Sequence, residues 1–435
     1  MLRRLLDRLS GETGKQPGQC FFYPGDIHAW LGATPAGLED RLREFDVPAR
    51  GHAFPEPGDW ESYDDVPAPT GEACQSTALH RRLAVYPACL TGDLMPCELS
   101  DPPGAQLLRV WSRRLAAHET RVIEQFDRHK PDTILLVQGY EPNSAIARAV
   151  GIRRGVPLLA FENTALADRL LWDDVSGITV NRNQAANYYA RYRDSITDPA
   201  VEEWYEGWRA TLRSRKSEEH LSPARSPALS ISGPSILFLG QVYTDSSVLF
   251  GVGEWQSPVR LLAHLLAAAE TLGATVVAKL HPKEKSGSAP LTARPYDQLT
   301  WRKLQQDETC RDALSTERLI VDADNEFDTY ELIEACEAAV TLTSQAGLEA
   351  AMMGKPVIVA GRSFYSNLGF THDALSPDQL PFALRDALAS DRTATETEAR
   401  RFGLIFFEKY CIAKTELAMA QQMRSTFARP FPRAQ

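Results

Sequence analysis

Short apolar runs alternate along this chain with longer stretches whose apolar residues recur every three or four positions. Residues 133–138 (TILLVQ) are one such run, bounded by Pro131-Asp132 and Gly139, and read as a buried strand. Residues 144–155 (SAIARAVGIRRG) then carry helical periodicity and stop at a glycine, and 156–161 (VPLLAF) read as the next strand. Strand, helix and strand within about 30 residues predict a βαβ unit, whose strands run parallel because a crossover joins them. Residues 177–180 and 183–192 predict a further strand and helix. The first hundred residues, rich in Pro, Gly and Asp, are less legible, with Phe21-Phe22-Tyr23 as their best strand.

Residues 213–234 (RSRKSEEHLSPARSPALSISGP) have no apolar period and carry three prolines, the composition of a linker. Beyond them the rhythm restarts, with strands predicted at 235–239, 274–280, 319–321, 338–342 and 356–360 and helices at 257–272, 329–337 and 345–353. From about residue 378 the chain reads as helices that end in a tail, 424–435. The pattern predicts an α/β protein with a first domain over 1–212, a linker over 213–234, a second domain over 235–377 and a helical C-terminal segment over 378–435. Two doubly wound, Rossmann-like halves then face each other across a cleft. In such sheets ligands sit beyond the carboxyl ends of the strands, so the residues at those ends carry the chemistry.

Composition narrows the picture. The 435 residues are 43% hydrophobic and 24% charged, ordinary for a globular chain. No run approaches the roughly 18–20 apolar residues of a membrane-spanning helix. With 47 Lys+Arg against 57 Asp+Glu the formal charge is −10, which excludes a general nucleic-acid binder and makes any local cluster of cations conspicuous. The seven cysteines are odd in number and lack CxxC spacing, and are read as reduced thiols of a cytosolic protein. Residues 1–11 (MLRRLLDRLSG) have no h-region and are not read as a secretory leader. Leu2, Leu5, Leu6 and Leu9 recur there at helical spacing among Arg3, Arg4 and Arg8, a short docking helix or a membrane-surface contact.

Several polar clusters fall at strand ends. The strand at 274–280 runs into His281-Pro282-Lys283-Glu284-Lys285, with Lys279 just before, a positive patch suited to a phosphate-bearing ligand. The strand at 338–342 runs into Thr343-Ser344-Gln345, where hydroxyls cap a helix and backbone N–H groups can face an anion. Ala346 and Gly347 permit close approach there, and Glu349 is placed to accept a ribose hydroxyl. Gln241 and Asp245 follow the first strand of the second half, and Glu162 ends a strand of the first. Two carboxylates from opposed domains suit a nucleophile and a general acid or base, although Asp245 serves equally as a turn residue. The acidic run 322–328 (DADNEFD) contains DxD, but reads as a solvated loop with Asp328 capping the next helix. No GxGxxG, Walker, GxSxG or HExxH motif stands in a usable context, which argues against dehydrogenase, ATPase, α/β-hydrolase and zinc-protease chemistry.

At GQVYTDSS (240–247), KLHP (279–282) and TLTSQAGLEAAMMGKPVIVAGRSFY (341–365), and more loosely at 161–183, the chain resembles the capsule polysaccharide biosynthesis family, and within it the retaining β-Kdo glycosyltransferases. The resemblance implies a GT-B fold, an acceptor-binding first domain and a donor-binding second one. It implies transfer of Kdo from CMP-β-Kdo to a glycan or lipid-linked glycan acceptor, without a metal cofactor. On this sequence Asp245 would be the nucleophile, Glu162 would assist proton transfer and His281 would meet the donor phosphate or leaving group. Gln241, Lys279, Pro282, Lys283, Thr343, Ser344, Gln345 and Glu349 would complete the donor site. An inverting sialyltransferase-like or polyol-phosphate transferase on the same fold, or a catalytically silent glycan-binding subunit, are the alternatives. Arg424, Arg429 and Arg433 interleave with Phe427 and Phe431 in an acid-free tail, which suits peripheral contact with an anionic inner membrane or an unstructured end.

Overall fold

The computed structural model describes residues 19–24, 31–45, 47, 49–55, 60–63, 77–174, 177, 179, 182–218, 233–390 and 392–427. The basic segment 1–11, Cys74, most of the expected linker and the tail beyond residue 427 lie outside them. The other six cysteines are free thiols. Among the described residues no helix is long and apolar enough to cross a membrane.

Two six-stranded sheets organise the chain. The first holds β1 (Gln19–Tyr23), β2 (Ala49–Ala53), β3 (Thr133–Val137), β4 (Leu158–Asn163), β5 (Arg169–Asp173) and β12 (Ile412–Ala413) in the order β12-β5-β4-β3-β1-β2. The predicted βαβ unit is present, with β3 and β4 parallel and helix Pro142–Arg153 between them. The strand expected at 177–180 is not found at Gly177 or Thr179. It lies earlier, at β5, and runs antiparallel to β4 and β12. Gly177 instead packs against the loop after β3, donating its N–H to the Gln138 carbonyl at 2.6 Å.

The second sheet holds β6 (Ser235–Leu239), β7 (Thr275–Lys279), β8 (Leu319–Asp322), β9 (Ala338–Thr341), β10 (Val357–Val359) and β11 (His372–Asp373) in the order β11-β10-β9-β6-β7-β8, all parallel. This is the doubly wound order, and its switch point falls between β6 and β9. β6 is buried along its whole length. Ile236 and Phe238 enter one apolar cluster while Leu237 and Leu239 enter another, the period-2 alternation of a strand covered on both faces.

The C-terminal segment ties the two halves together. Helix Arg392–Ile405 packs on both Gln345–Met352 of the second half and Asp198–Glu218 of the first. β12 then extends the first sheet, and helix Glu416–Phe427 buries Met419 and Met423 with Phe21, Leu38 and Leu135. Arg424 lies over the Phe45 ring and Phe427 packs on the same cluster, so the start of the expected tail is docked helix. Likewise helix Asp198–Glu218 runs six residues into the stretch read as linker, from 213 to 218.

Candidate active site in the interdomain cleft

The carboxyl ends of β3 and β4 meet those of β6, β7, β9 and β10 across a cavity of about 340 Å³. Each residue reaches it for a local reason. Asp245 caps the six-residue helix Ser246–Gly251, its Oδ1 accepting the Ser247 N–H at 2.8 Å and the Ser247 hydroxyl at 2.6 Å. No hydrogen bond to Oδ2 is made among the described residues, and Asp245 lines the cavity. The capping role and an accessible carboxylate oxygen thus coexist in one side chain.

Glu162, near the end of β4, lines the same cavity from the other domain. Tyr140, after β3, lines the cavity with the two carboxylates. Burial, then Glu162, Tyr86 and Asp245 push its phenol well above the ordinary range, so it stays protonated. The Ser246 hydroxyl donates to the Tyr140 oxygen at 2.9 Å. Nothing in the sequence singles out Tyr140, because a tyrosine three residues past a strand carries no distinctive spacing.

At the end of β7 the Lys283 N–H donates to His281 Nδ1 at 3.1 Å, so in the neutral ring the proton sits on Nε2. His281 lines the cavity. At the end of β9 the Gln241 side chain ties the switch point shut. Its Oε1 accepts from the Thr343 N–H at 3.0 Å and the Thr343 hydroxyl at 3.1 Å, while its Nε2 donates to the Ser247 hydroxyl at 2.7 Å. Ser344 caps helix Gln345–Met352, accepting from Ala346 N–H at 3.2 Å.

Four residues expected in the site do not line it. Lys279 is 3% exposed, and its Nζ donates to Asp322 Oδ2 at 2.5 Å, Asn325 Oδ1 at 2.6 Å and the Phe327 carbonyl at 2.8 Å. Because Lys279 and Asp322 are register partners on β7 and β8, the cation is consumed within the sheet. The acidic run is correspondingly less solvated than its composition implies, since Asp322 is buried; Asp328 caps its helix as expected. Glu349 is buried, with its carboxylate accepting from the Tyr330 hydroxyl at 3.1 Å and Gln345 Nε2 at 3.4 Å. Pro282 and Lys283 sit at the start of the short helix Lys283–Ser286, outside the cavity lining. The room left by Gly347 is taken by Tyr365, whose hydroxyl lies 2.3 Å from where a Cβ would stand.

The cations that do line the cleft are Arg182, ahead of helix Asn183–Tyr192, and Arg362, after β10. Burial and the neighbouring Arg362 lower the Arg182 pKa to about 10. Both arginines lie in the quoted motif regions, but neither stands in a cluster of like charge, which was the signal sought.

Residues 179–387, which include both arginines and the whole second sheet, match the family model described as capsule polysaccharide biosynthesis protein. The match covers 209 of the 435 residues, just under half of the chain. No curated protein matches the chain significantly. Among solved structures, the beta Kdo 2,7 transferase of Thermosulfurimonas dismutans KpsC is 18% identical, covering 70% of this chain and 89% of that one at a TM-score of 0.41. The beta Kdo 2,4 transferase of the same protein is 19% identical, covering 62% and 79% at 0.38. A UDP-GlcNAc 2-epimerase from Methanocaldococcus jannaschii is 9% identical, covering 90% and 99% at 0.36. The expected GT-B arrangement is present in the topology itself: a doubly wound sheet whose switch point opens on a cleft shared with a second α/β half.

Proposed function

We propose that the protein is a retaining glycosyltransferase that moves Kdo or a related 3-deoxy-ulosonic acid from its CMP-activated form to a surface-glycan acceptor. The observation that carries the reading is the pair of carboxylates, Asp245 and Glu162, lining one cleft from opposite domains, in a chain whose residues 179–387 match the family model described as capsule polysaccharide biosynthesis protein. Asp245 Oδ2 attacks the anomeric carbon as the bond from that carbon to the phosphate oxygen breaks, and CMP leaves with the electron pair. The acceptor hydroxyl then attacks the same carbon from the opposite face. Its proton passes to Glu162, and Asp245 is released as carboxylate. Two inversions give net retention.

The surrounding groups suit these steps. With Nδ1 accepting from the Lys283 N–H, His281 has Nε2 as its donor to the departing phosphate, and the N-terminus of helix Gln345–Met352 offers oriented dipoles to the same charge. Asp245 Oδ1 is fixed by Ser247, which orients the attacking oxygen. The test is incubation with CMP-Kdo and a glycan acceptor mimic, following product stereochemistry by NMR and the intact protein by mass spectrometry. Retention, together with a Kdo-mass adduct lost in Asp245→Ala, is expected. An inverted product, or an Asp245→Ala variant as active as wild type, would refute the mechanism.

A further inference from the structure

Two cations of the cleft are unused by the steps above. Arg182 belongs to the first domain and Arg362 to the second, and both line the cavity. Among the described residues neither side chain has an ion-pair or hydrogen-bond partner. Arg182 Nη2 is buried without a partner. A buried donor left unpaired costs free energy, and two guanidiniums that disfavour each other's charge add to that cost. An anion placed between them removes both penalties.

The location of this seat indicates which anion. A Cβ on Gly251 would lie 3.4 Å from Arg182 Nη2, and Gly251 ends the six-residue helix that Asp245 caps. At 1.5 Å per residue Gly251 lies about 9 Å along the helix from Asp245, which brings the guanidinium beside it within reach of a substituent on the attacked ring. β10, which leads into Arg362, is three places from β7, which leads into His281, or about 14 Å between strand axes. The arginine pair is thus set apart from the His281 side of the cleft. Planar guanidinium forks match a carboxylate in geometry.

We propose that Arg182 and Arg362 together grip a carboxylate on the transferred sugar, separately from the nucleotide phosphate, and so select acidic sugars as donors. This rests on the donor-site reading given above. Because the grip takes one arginine from each domain, only the complete donor bridges the two halves.

The test is equilibrium binding of CMP and of CMP-Kdo to wild type, Arg362→Gln and Arg182→Gln, with thermal melting to confirm folding. Arg362 is exposed, so its substitution leaves the core intact. Each variant is expected to bind CMP-Kdo at least 20-fold more weakly than wild type while its CMP affinity changes by less than threefold. Equal losses for the two ligands would make the pair a phosphate seat and overturn the proposal, as would no loss for either. Wild type that binds CMP but shows no preference for CMP-Kdo over CMP would also overturn it while leaving the nucleotide site standing. Wild type that binds neither ligand would refute the donor-site reading and this proposal with it.

Discussion

The Ser246 hydroxyl donates a 2.9 Å hydrogen bond to the Tyr140 phenol oxygen, joining the loop after β3 in one domain to the helix capped by Asp245 in the other. With that oxygen accepting, the phenol's own hydrogen is left to point elsewhere, and Tyr140 lines the cleft together with Glu162 and Asp245. Tyr140→Phe removes that donor and the acceptor of the half-buried Ser246 hydroxyl, and keeps the ring packing. Its kcat/KM is expected to fall about 10-fold, the loss of roughly 1.4 kcal/mol of transition-state stabilisation, with an unchanged melting temperature. A steady-state assay beside a thermal melt checks both halves of the statement.

Asp245 holds two jobs that substitution can separate. Asparagine keeps an Oδ1 that accepts from Ser247, so Asp245→Asn is expected to retain stability to within about 0.5 kcal/mol while losing activity on the order of 1,000-fold or more. Asp245→Ala loses the cap as well, and about 1 kcal/mol of stability with it. Chemical denaturation and turnover measured on the same preparations distinguish a nucleophile from a mere cap. An Asp245→Asn variant with a tenth of wild-type activity would leave only the cap.

Much of the second half was legible in the sequence because parallel strands covered on both faces are short, nearly continuous apolar runs. The strand read at 235–239 coincides with β6, and Ser257 caps helix Pro258–Glu270 one residue inside the predicted start. Asp245, Glu162, His281 and the Thr343-Ser344-Gln345 turn also meet in one cavity, because strand ends converge wherever the chain is doubly wound. What sequence could not show was which cation faces the cleft. A residue on a strand points to one face or the other by register alone, and Lys279, the last residue of β7, turns towards Asp322 on β8. Arg182 and Arg362 are isolated in sequence and meet only because the two domains close on each other. β5 was missed for a similar reason: RLLWD is polar at both ends, as an antiparallel strand near an edge can be.

A buried histidine gives the stability of the first domain a defined acid limb. His118 Nδ1 lies 2.9 Å from the Tyr63 hydroxyl and its Nε2 lies 2.8 Å from Asn143 Oδ1, with no exposure to solvent. Burial, opposed by the Asn143 contact and aided by Arg121, lowers its pKa from 6.5 to about 4. The unfolded chain therefore binds the extra proton between those values, and stability rises with pH across that window. The contribution is complete above pH 6.5 and is lost as pH falls towards 4, to a total of about 3 kcal/mol. Urea midpoints measured from pH 7 to pH 4 should fall less steeply in His118→Gln, which cannot take up the proton, than in wild type.

The Lys279–Asp322 pair makes the most direct separation between fold and site. Its charges are 2.5 Å apart and almost fully buried, and Asp322 also accepts the backbone N–H groups of Glu326 at 2.8 Å and Phe327 at 3.1 Å. Lys279→Met leaves that carboxylate buried without its counter-ion, and a loss of about 3–5 kcal/mol is expected in urea denaturation. Adding Asp322→Asn removes the stranded charge while keeping an acceptor for the loop, and is expected to restore about half of that loss, a coupling that a double-mutant cycle measures. CMP affinity of the folded double variant decides the remaining question. If Lys279 acts only inside the sheet, that affinity stays within threefold of wild type. If Lys279 seats the donor phosphate, as its place in the KLHP motif implies, removing a charge-assisted contact of about 1.5–3 kcal/mol weakens CMP by at least 10-fold. The hydrogen bonds to Asp322, Asn325 and Phe327 occupy all three ammonium protons, so the first outcome is the expected one.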